Sequence, residues 1–290
     1  MKVAVTGGTG LVGRFIVNGL LNDGHDVTVM TRTPPQPGFF AREVVHRPYD
    51  LDAGAPDLRG MDAVVHAAFD HLPGRYRGGE GDDPQGFIRA NLDGTLTLFR
   101  AARDSGVGRV IFLSSRAVHD GHPPGMDLPD ELSPFPSTLY GEVKAKAETA
   151  LADLAGPGLR TASLRPTGVY GPGTPQKWAG LIDGFLAGTT PAPAVATEVH
   201  GADLGAAAML VLNDPDMRSS YNISDLVLDR RDLLAAVARL TGCGTPLPER
   251  ADASALKRPI CARLSRLGWR PGGGGILLAD LPRIINHATR

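Results

Sequence analysis

The stretch TGGTGLVG, Thr6–Gly13, joins a short apolar strand at Val3–Thr6 to a segment with helical apolar spacing at Leu11–Leu21. Its glycines Gly7, Gly10 and Gly13 follow a G-x-x-G-x-x-G spacing. A strand that turns this tightly into a helix needs positions with φ > 0 or without a Cβ. The missing side chains also let backbone N–H groups approach an anion at the helix N-terminus, where the peptide dipoles favour negative charge. Glycines alone often mark plain turns. A strand before and a helix after make this spacing a dinucleotide-binding signal. Its contact residues are Gly7, Thr9, Gly10, Leu11, Val12 and Gly13.

The same alternation continues through the first two-thirds of the chain. Strands are expected at Val27–Thr31, Val44–His46, Ala63–Ala67, Arg109–Ser114 and Thr161–Arg165, with helices at about Asn91–Ser105 and Tyr140–Leu154. This rhythm predicts an α/β fold, a doubly wound parallel sheet, because parallel strands need helical crossovers. Asp70–Gly86 is rich in Gly, Arg and Asp, has no period, and reads as a loop. Pro172–Pro193 is rich in Gly, Pro and Thr and marks a change of architecture. A helix at Leu204–Leu212, a strand at Ser220–Ser224 and a helix at Asp229–Leu240 follow, the last with Asp229 as N-cap and Asp232 in an acidic first turn. The expected division is a Rossmann domain at 1–172, to which 195–225 returns, and a small C-terminal substrate lobe made of 173–194 and 226–290. Trp178 and Trp269 are assigned to the lobe core.

Charge and cysteine content remove several function classes. Lys and Arg number 30 against 31 Asp and Glu, a formal net charge of -1, which argues against nucleic acid or an anionic membrane as the main partner. Hydrophobic residues make up 42%, enough for a real core, yet no apolar run reaches the length of a membrane span. The opening MKVAVTGG reads as a buried strand entering a turn rather than a signal peptide. Cys243 and Cys261 have no metal-ligand spacing and are read as reduced thiols, which places the chain in the cytoplasm; no metal is expected.

The end of the second strand bears on cofactor choice. An acidic residue there would bind the ribose hydroxyls of NAD and repel the 2′-phosphate of NADP. The chain has Thr31-Arg32, and Arg32 can clamp a phosphate. The reading favours NADP over NAD, against the alternative of a solvated arginine. Asp50 and Leu51, after the third strand, are placed to meet adenine.

LSSRAVHDGHPPGMDLPDELSPFPSTLYGEVKAK, Leu113–Lys146, holds adjacent serines, a tyrosine, and a lysine four residues beyond it. Residues four apart share a helix face. Alone, such a Tyr–Lys pair is usually surface decoration. Behind the glycine turn it reads as a general base and its tuning cation. A free tyrosine has a pKa of about 10, too high for a base near neutrality, and a nearby ammonium favours the phenolate.

Taken together, TGGTGLVG, DL at Asp50-Leu51, VVHAA at Val64–Ala68, NLDGTLTLFRAAR at Asn91–Arg103, FLSS at Phe112–Ser115, YGEVK at Tyr140–Lys144 and LRPTGVYGPG at Leu164–Gly173 resemble the extended short-chain dehydrogenases/reductases, the NAD-dependent epimerase/dehydratase group. HGADL, YNISD and LGWRP extend the resemblance along nearly the whole chain. The resemblance implies a catalytic set of Ser115, Tyr140 and Lys144, with Ala67, Ala68, Asn91, Ser114, Pro166 and Val169 around the cofactor. It also implies a homodimer through the helices beginning at Asn91 and Tyr140. His66 is read as a satisfied strand histidine; His200 either faces substrate or packs between lobes.

Departures from the family pattern narrow the reaction. The dehydratases of the family carry an acid and a base after the serine; this chain has Arg116-Ala117. His119 stands where many epimerases carry tyrosine, and the segment between Gly173 and Val199 is short, with Lys177 as its basic residue. The expectation is an NAD(P)-dependent oxidoreductase of a small sugar-like or polyol substrate, with Arg116, Arg75 and Arg77 available to an anionic group. The alternatives are a sugar or nucleotide-sugar epimerase with tightly bound NAD, and a non-catalytic NADP-sensing regulatory protein.

Overall fold

The computed structural model describes residues 1–72 and 78–288. Arg75 and Arg77 lie outside the described residues. The elements run β1 (Lys2–Thr6), α1 (Gly13–Asn22), β2 (Asp26–Thr31), β3 (Val45–Pro48), β4 (Ala63–His66), α2 (Pro84–Ile88), a π turn (Arg89–Asp93), α3 (Gly94–Asp104), β5 (Arg109–Leu113) and a 3₁₀ turn (Arg116–His119). They continue with β6 (Asp127–Leu128), α4 (Leu139–Asp153), β7 (Arg160–Pro166), β8 (Gly168–Tyr170), α5 (Ala179–Leu186), β9 (Val195–His200) and α6 (Gly201–Asn213). The last are β10 (Ser220–Ile223), β11 (Leu226–Asp229), α7 (Arg230–Thr241), β12 (Arg258–Pro259), α8 (Ala262–Arg266) and α9 (Gly273–Ala288).

Seven strands form one sheet in the order β10-β7-β5-β4-β1-β2-β3, and every neighbouring pair is parallel. Both faces are covered, so the strands read as continuous apolar runs rather than alternating ones. In β1, Val3 and Val5 join Ile16, Leu20, Leu204 and Val211 on one face, while Ala4 packs with Leu98, Phe99, Ala147 and Leu151 on the other. That is the period-2 geometry of a strand sandwiched between α1/α6 and α3/α4. Chain order reverses at β1, which lies between β2 and β4. The crevice beyond the carboxyl ends of β1 and β4 is therefore where such a sheet binds ligands.

A second apolar cluster sits apart from the sheet. Tyr170, Trp178, Ile182 and Phe185 pack with Leu233, Leu234 and Val237 of α7 and with Leu277, Leu281 and Ile284 of α9. Beside it, β8, β9 and β11 form a three-stranded sheet, β8–β9 parallel and β9–β11 antiparallel. Asp229 caps α7 by accepting from the Arg231 N–H at 2.8 Å, as its position before an acidic turn implies. Two expectations change. The loop reading of Asp70–Gly86 gives way to a helix at Pro84, capped by Asp83. Trp269 packs with Leu264 in the cluster of the large sheet, not the lobe core, because its Nε1 donates to the Asp203 carbonyl of α6 at 2.9 Å. Cys243 and Cys261 are free thiols, as read. No helix among the described residues is long and apolar enough to cross a membrane.

Candidate active site

A cleft of about 940 Å³ opens at the carboxyl ends of β1, β2, β4, β5 and β7. On one side lies the glycine turn. Gly7 adopts φ 65°, its N–H donates to the Met30 carbonyl at 3.0 Å, and the Gly10 N–H donates to the Gly7 carbonyl at 3.0 Å. A Cβ on Gly7 would stand 2.6 Å from the Ala68 nitrogen and 2.8 Å from the Ala67 carbonyl carbon, so the turn and the loop after β4 touch backbone to backbone. Among the described residues, the Leu11 and Val12 N–H groups make no hydrogen bond, and both residues line the cleft. No acidic residue stands in the first turn of α1. Free amides, a helix N-terminus and no opposing carboxylate on that helix fit the pyrophosphate of a dinucleotide.

The loop after β4 is held by two devices. His66 is fully buried between Thr6 Oγ1 at 2.7 Å and Thr95 Oγ1 at 2.8 Å. Burial, with the Lys144 charge adding to it, lowers its pKa to about 3, so the ring is neutral and structural, as read. Asn91 sits in the π turn. Its Oδ1 accepts from the Asp70 N–H at 2.7 Å, and its Nδ2 donates to the carbonyls of Asp70 at 2.7 Å and Phe87 at 3.0 Å. Asn91 does not line the cleft; it fixes the strand-end loop that does, including Ala67 and Ala68.

The opposite wall carries the serine, tyrosine and lysine. Thr138 caps α4 through the Gly141 N–H, which starts the helix just before Tyr140. Gly141 has no room for a Cβ, which would stand 2.6 Å from the Ala117 carbonyl; the helix thus rests directly on the turn after Ser115. Tyr140 is 9% exposed and meets Phe69 edge-on at 5.1 Å. One turn on, Lys144 is buried. Its Nζ donates to the Leu113 carbonyl at 2.7 Å and lies over the rings of Phe69 and Phe112, 4.3 and 4.6 Å from their centroids. Burial lowers its pKa to about 7, against the opposing charge of Glu148. The Ser115 hydroxyl accepts from the Ala117 N–H at 3.1 Å. The buried Ser114 Oγ has no hydrogen-bond partner among the described residues. All four line the cleft.

The remaining candidates divide. Leu51, Pro166 and Val169 line the cleft. Arg32 does too, exposed and 3.8 Å from Asp70. Asp50 is a lining residue whose carboxylate accepts from the Asp52 N–H at 3.1 Å. Arg116 lines the cleft and pairs with Asp120 at 3.0 Å. His200 is not in it: Nδ1 accepts from the Ala202 N–H at 3.1 Å as the cap of α6, and Nε2 lies 3.2 Å from Asp280 of α9. Its substrate-facing reading is replaced by the packing one, because the ring at the end of β9 is enclosed by helices on either side. Two polar residues emerge that sequence reading did not place at the site. Glu198 of β9 pairs with Lys177, and both line the cleft. Leu256 reaches the cleft from the C-terminal part.

Residues 3–223 match the model of the NAD dependent epimerase/dehydratase family. The chain belongs to that family. Its members here include a 3-beta-hydroxysteroid dehydrogenase of Mycolicibacterium neoaurum, 33% identical over 64% of this chain; the chain spans about half, 52%, of that relative's length. A UDP-glucose 4-epimerase of Lacticaseibacillus casei is 28% identical over 99% of this chain and 96% of its own. The family fold extends to a solved UDP-glucose-4-epimerase of Stenotrophomonas maltophila with bound NAD and formylated UDP-arabinopyranose, which superposes with TM-score 0.80 at 24% identity over 100% of this chain and 99% of that one. The relatives of this epimerase/dehydratase chain thus include both a dehydrogenase and epimerases.

Proposed function

We propose that the chain is an NAD(P)-dependent dehydrogenase/reductase that moves a hydride between nicotinamide and a carbinol or ketone carbon of a small, sugar-like or polyol substrate. The observation that carries this reading is the meeting, in one cleft, of the free-amide glycine turn and the Tyr140–Lys144–Ser115 wall. Bound nicotinamide supplies the hydride chemistry. The protein's part is to handle the proton and orient the substrate oxygen. Tyr140 takes the hydroxyl proton as the carbinol is oxidised and returns it when the ketone is reduced. Lys144 spends one N–H on the Leu113 carbonyl and keeps two to hold charge beside the phenol. Ser115, at the strand's carboxyl end, donates to the substrate oxygen as charge builds there. The phenyl rings of Phe69 and Phe112 keep water from the ammonium. Arg32, at the mouth of the cleft, supports a preference for NADP. Residues 173–194 and most of 226–290 act as the substrate lobe.

The near full-length match to a UDP-glucose 4-epimerase favours a second reading, a sugar epimerase with retained NAD. A screen of sugars, sugar acids and keto compounds with NADPH and NADH separates the two. Net change in nicotinamide absorbance with a small substrate supports the first reading. Product isomerisation without net change supports the second.

A further inference from the structure

Glu198 is 4% exposed, yet it lines the cleft, and among the described residues its carboxylate bonds to Lys177 alone. It sits in β9 opposite Gly168 of β8. A Cβ on Gly168 would collide with both the Lys177 ammonium and the Glu198 carboxylate, so the pair lies directly beneath the backbone of Thr167–Val169, which also lines the cleft. Lys177 precedes α5, so two separate parts of the chain converge there. Glu198 Oε2 takes the lysine. Oε1 makes no hydrogen bond among the described residues, and Glu198 lines the cleft. Burial raises the Glu198 pKa and the Lys177 charge opposes that rise.

Glu198 is buried but Lys177 keeps access to solvent, and a pair of that kind is a poor way to fasten two segments. Desolvation of the carboxylate offsets much of the attraction, water screens the ammonium, and apolar residues of similar volume serve as well or better. At a cleft wall the same pair offers what an apolar clip cannot, an anionic acceptor beside a cationic donor. A neutral hydroxyl matches it, giving its proton to Oε1 and accepting from Nζ. A lone carboxylate or phosphate on the substrate would meet Glu198 as well as Lys177, and so matches it less well.

We propose that Glu198 and Lys177 form the specificity subsite that binds a hydroxyl next to the reacting carbonyl, making polyols and α-hydroxy ketones the substrate class. This rests on the oxidoreductase reading above. The pair is a recognition device and takes no part in proton transfer.

The test compares kcat/KM for hydroxyacetone against acetone, and for erythrulose against butanone, with NADPH and NADH. The proteins are wild type, Glu198→Gln and the double variant Lys177→Met/Glu198→Leu. The double variant leaves no unpaired buried charge, so it is expected to fold; thermal denaturation and NADPH binding check that it does. Wild type is expected to prefer each hydroxylated ketone, and the double variant to lose that preference by about tenfold or more, mostly through KM. Glu198→Gln, which keeps an acceptor, is expected to fall between. A purely structural clip would lower the melting temperature and leave the preference ratio unmoved; that result overturns the subsite alone. Wild type that turns over neither class of ketone overturns the oxidoreductase reading and the subsite with it.

Discussion

Replacing Gly7 with alanine tests whether the glycine turn and the loop after β4 are one unit. Two costs arise from the structure. The residue sits at φ 65°, where a Cβ costs about 1–2 kcal/mol. The added carbon would also stand 2.6 to 2.8 Å from backbone atoms of Ala67 and Ala68, and backbone at a strand end cannot yield as a flexible side chain does. Forcing a carbon into such a contact adds about 1–3 kcal/mol. Gly24→Ala is the matched control: its φ is 82°, and nothing lies within 4 Å of the new Cβ. It therefore carries only the first cost. Both variants reduce unfolded-chain entropy equally, so that effect cancels. Urea denaturation should show Gly7→Ala less stable than Gly24→Ala by about 1–3 kcal/mol. Because Ala67 and Ala68 line the cleft, NADPH affinity by fluorescence titration should weaken about tenfold or more in Gly7→Ala alone, some 1.4 kcal/mol. Equal stability and equal affinity in the two variants would refute the reasoning.

Two other outcomes follow from the same geometry. His66 has its pKa depressed from 6.5 to about 3, so its contribution to stability is complete above pH 6.5 and is lost as pH falls toward 3. Between pH 6.5 and 4.5 wild type should lose roughly 2–3 kcal/mol more than His66→Gln, at about 1.4 kcal/mol per pH unit, and parallel urea curves for the two proteins would count against it. Arg32→Ala should raise the NADPH dissociation constant about tenfold and leave that for NADH within about threefold; equal effects on the two cofactors would remove Arg32 from phosphate recognition.

What could be read from sequence was what depends on neighbours along the chain. The glycine turn, the Asp229 cap and the Tyr140–Lys144 spacing are each set within a few residues, and each stands where it was read. His66 was legible for a different reason: a histidine in a continuous buried strand must find partners, and Thr6 and Thr95 supply them. The Lys177–Glu198 pair left no local trace. It exists because β9 pairs with β8 in a register that sets Glu198 against Gly168, and because an irregular stretch carries Lys177 back over it. The β6 and β12 strands, two residues each, have no periodicity to show, and their pairing joins segments far apart in sequence. His200 was ambiguous because the end of β9 could equally have faced the cleft; the helices α6 and α9 that enclose it are brought there by tertiary packing.

The most direct measurement of the central claim is hydride transfer in Tyr140→Phe under single turnover, with cofactor affinity measured on the same protein. Phenylalanine keeps the ring against Phe69 and removes only the hydroxyl. The account predicts NADPH binding close to that of wild type and a transfer rate lower by about 10²- to 10⁴-fold. A rate within a few fold of wild type would contradict it, since the proton would then be handled elsewhere.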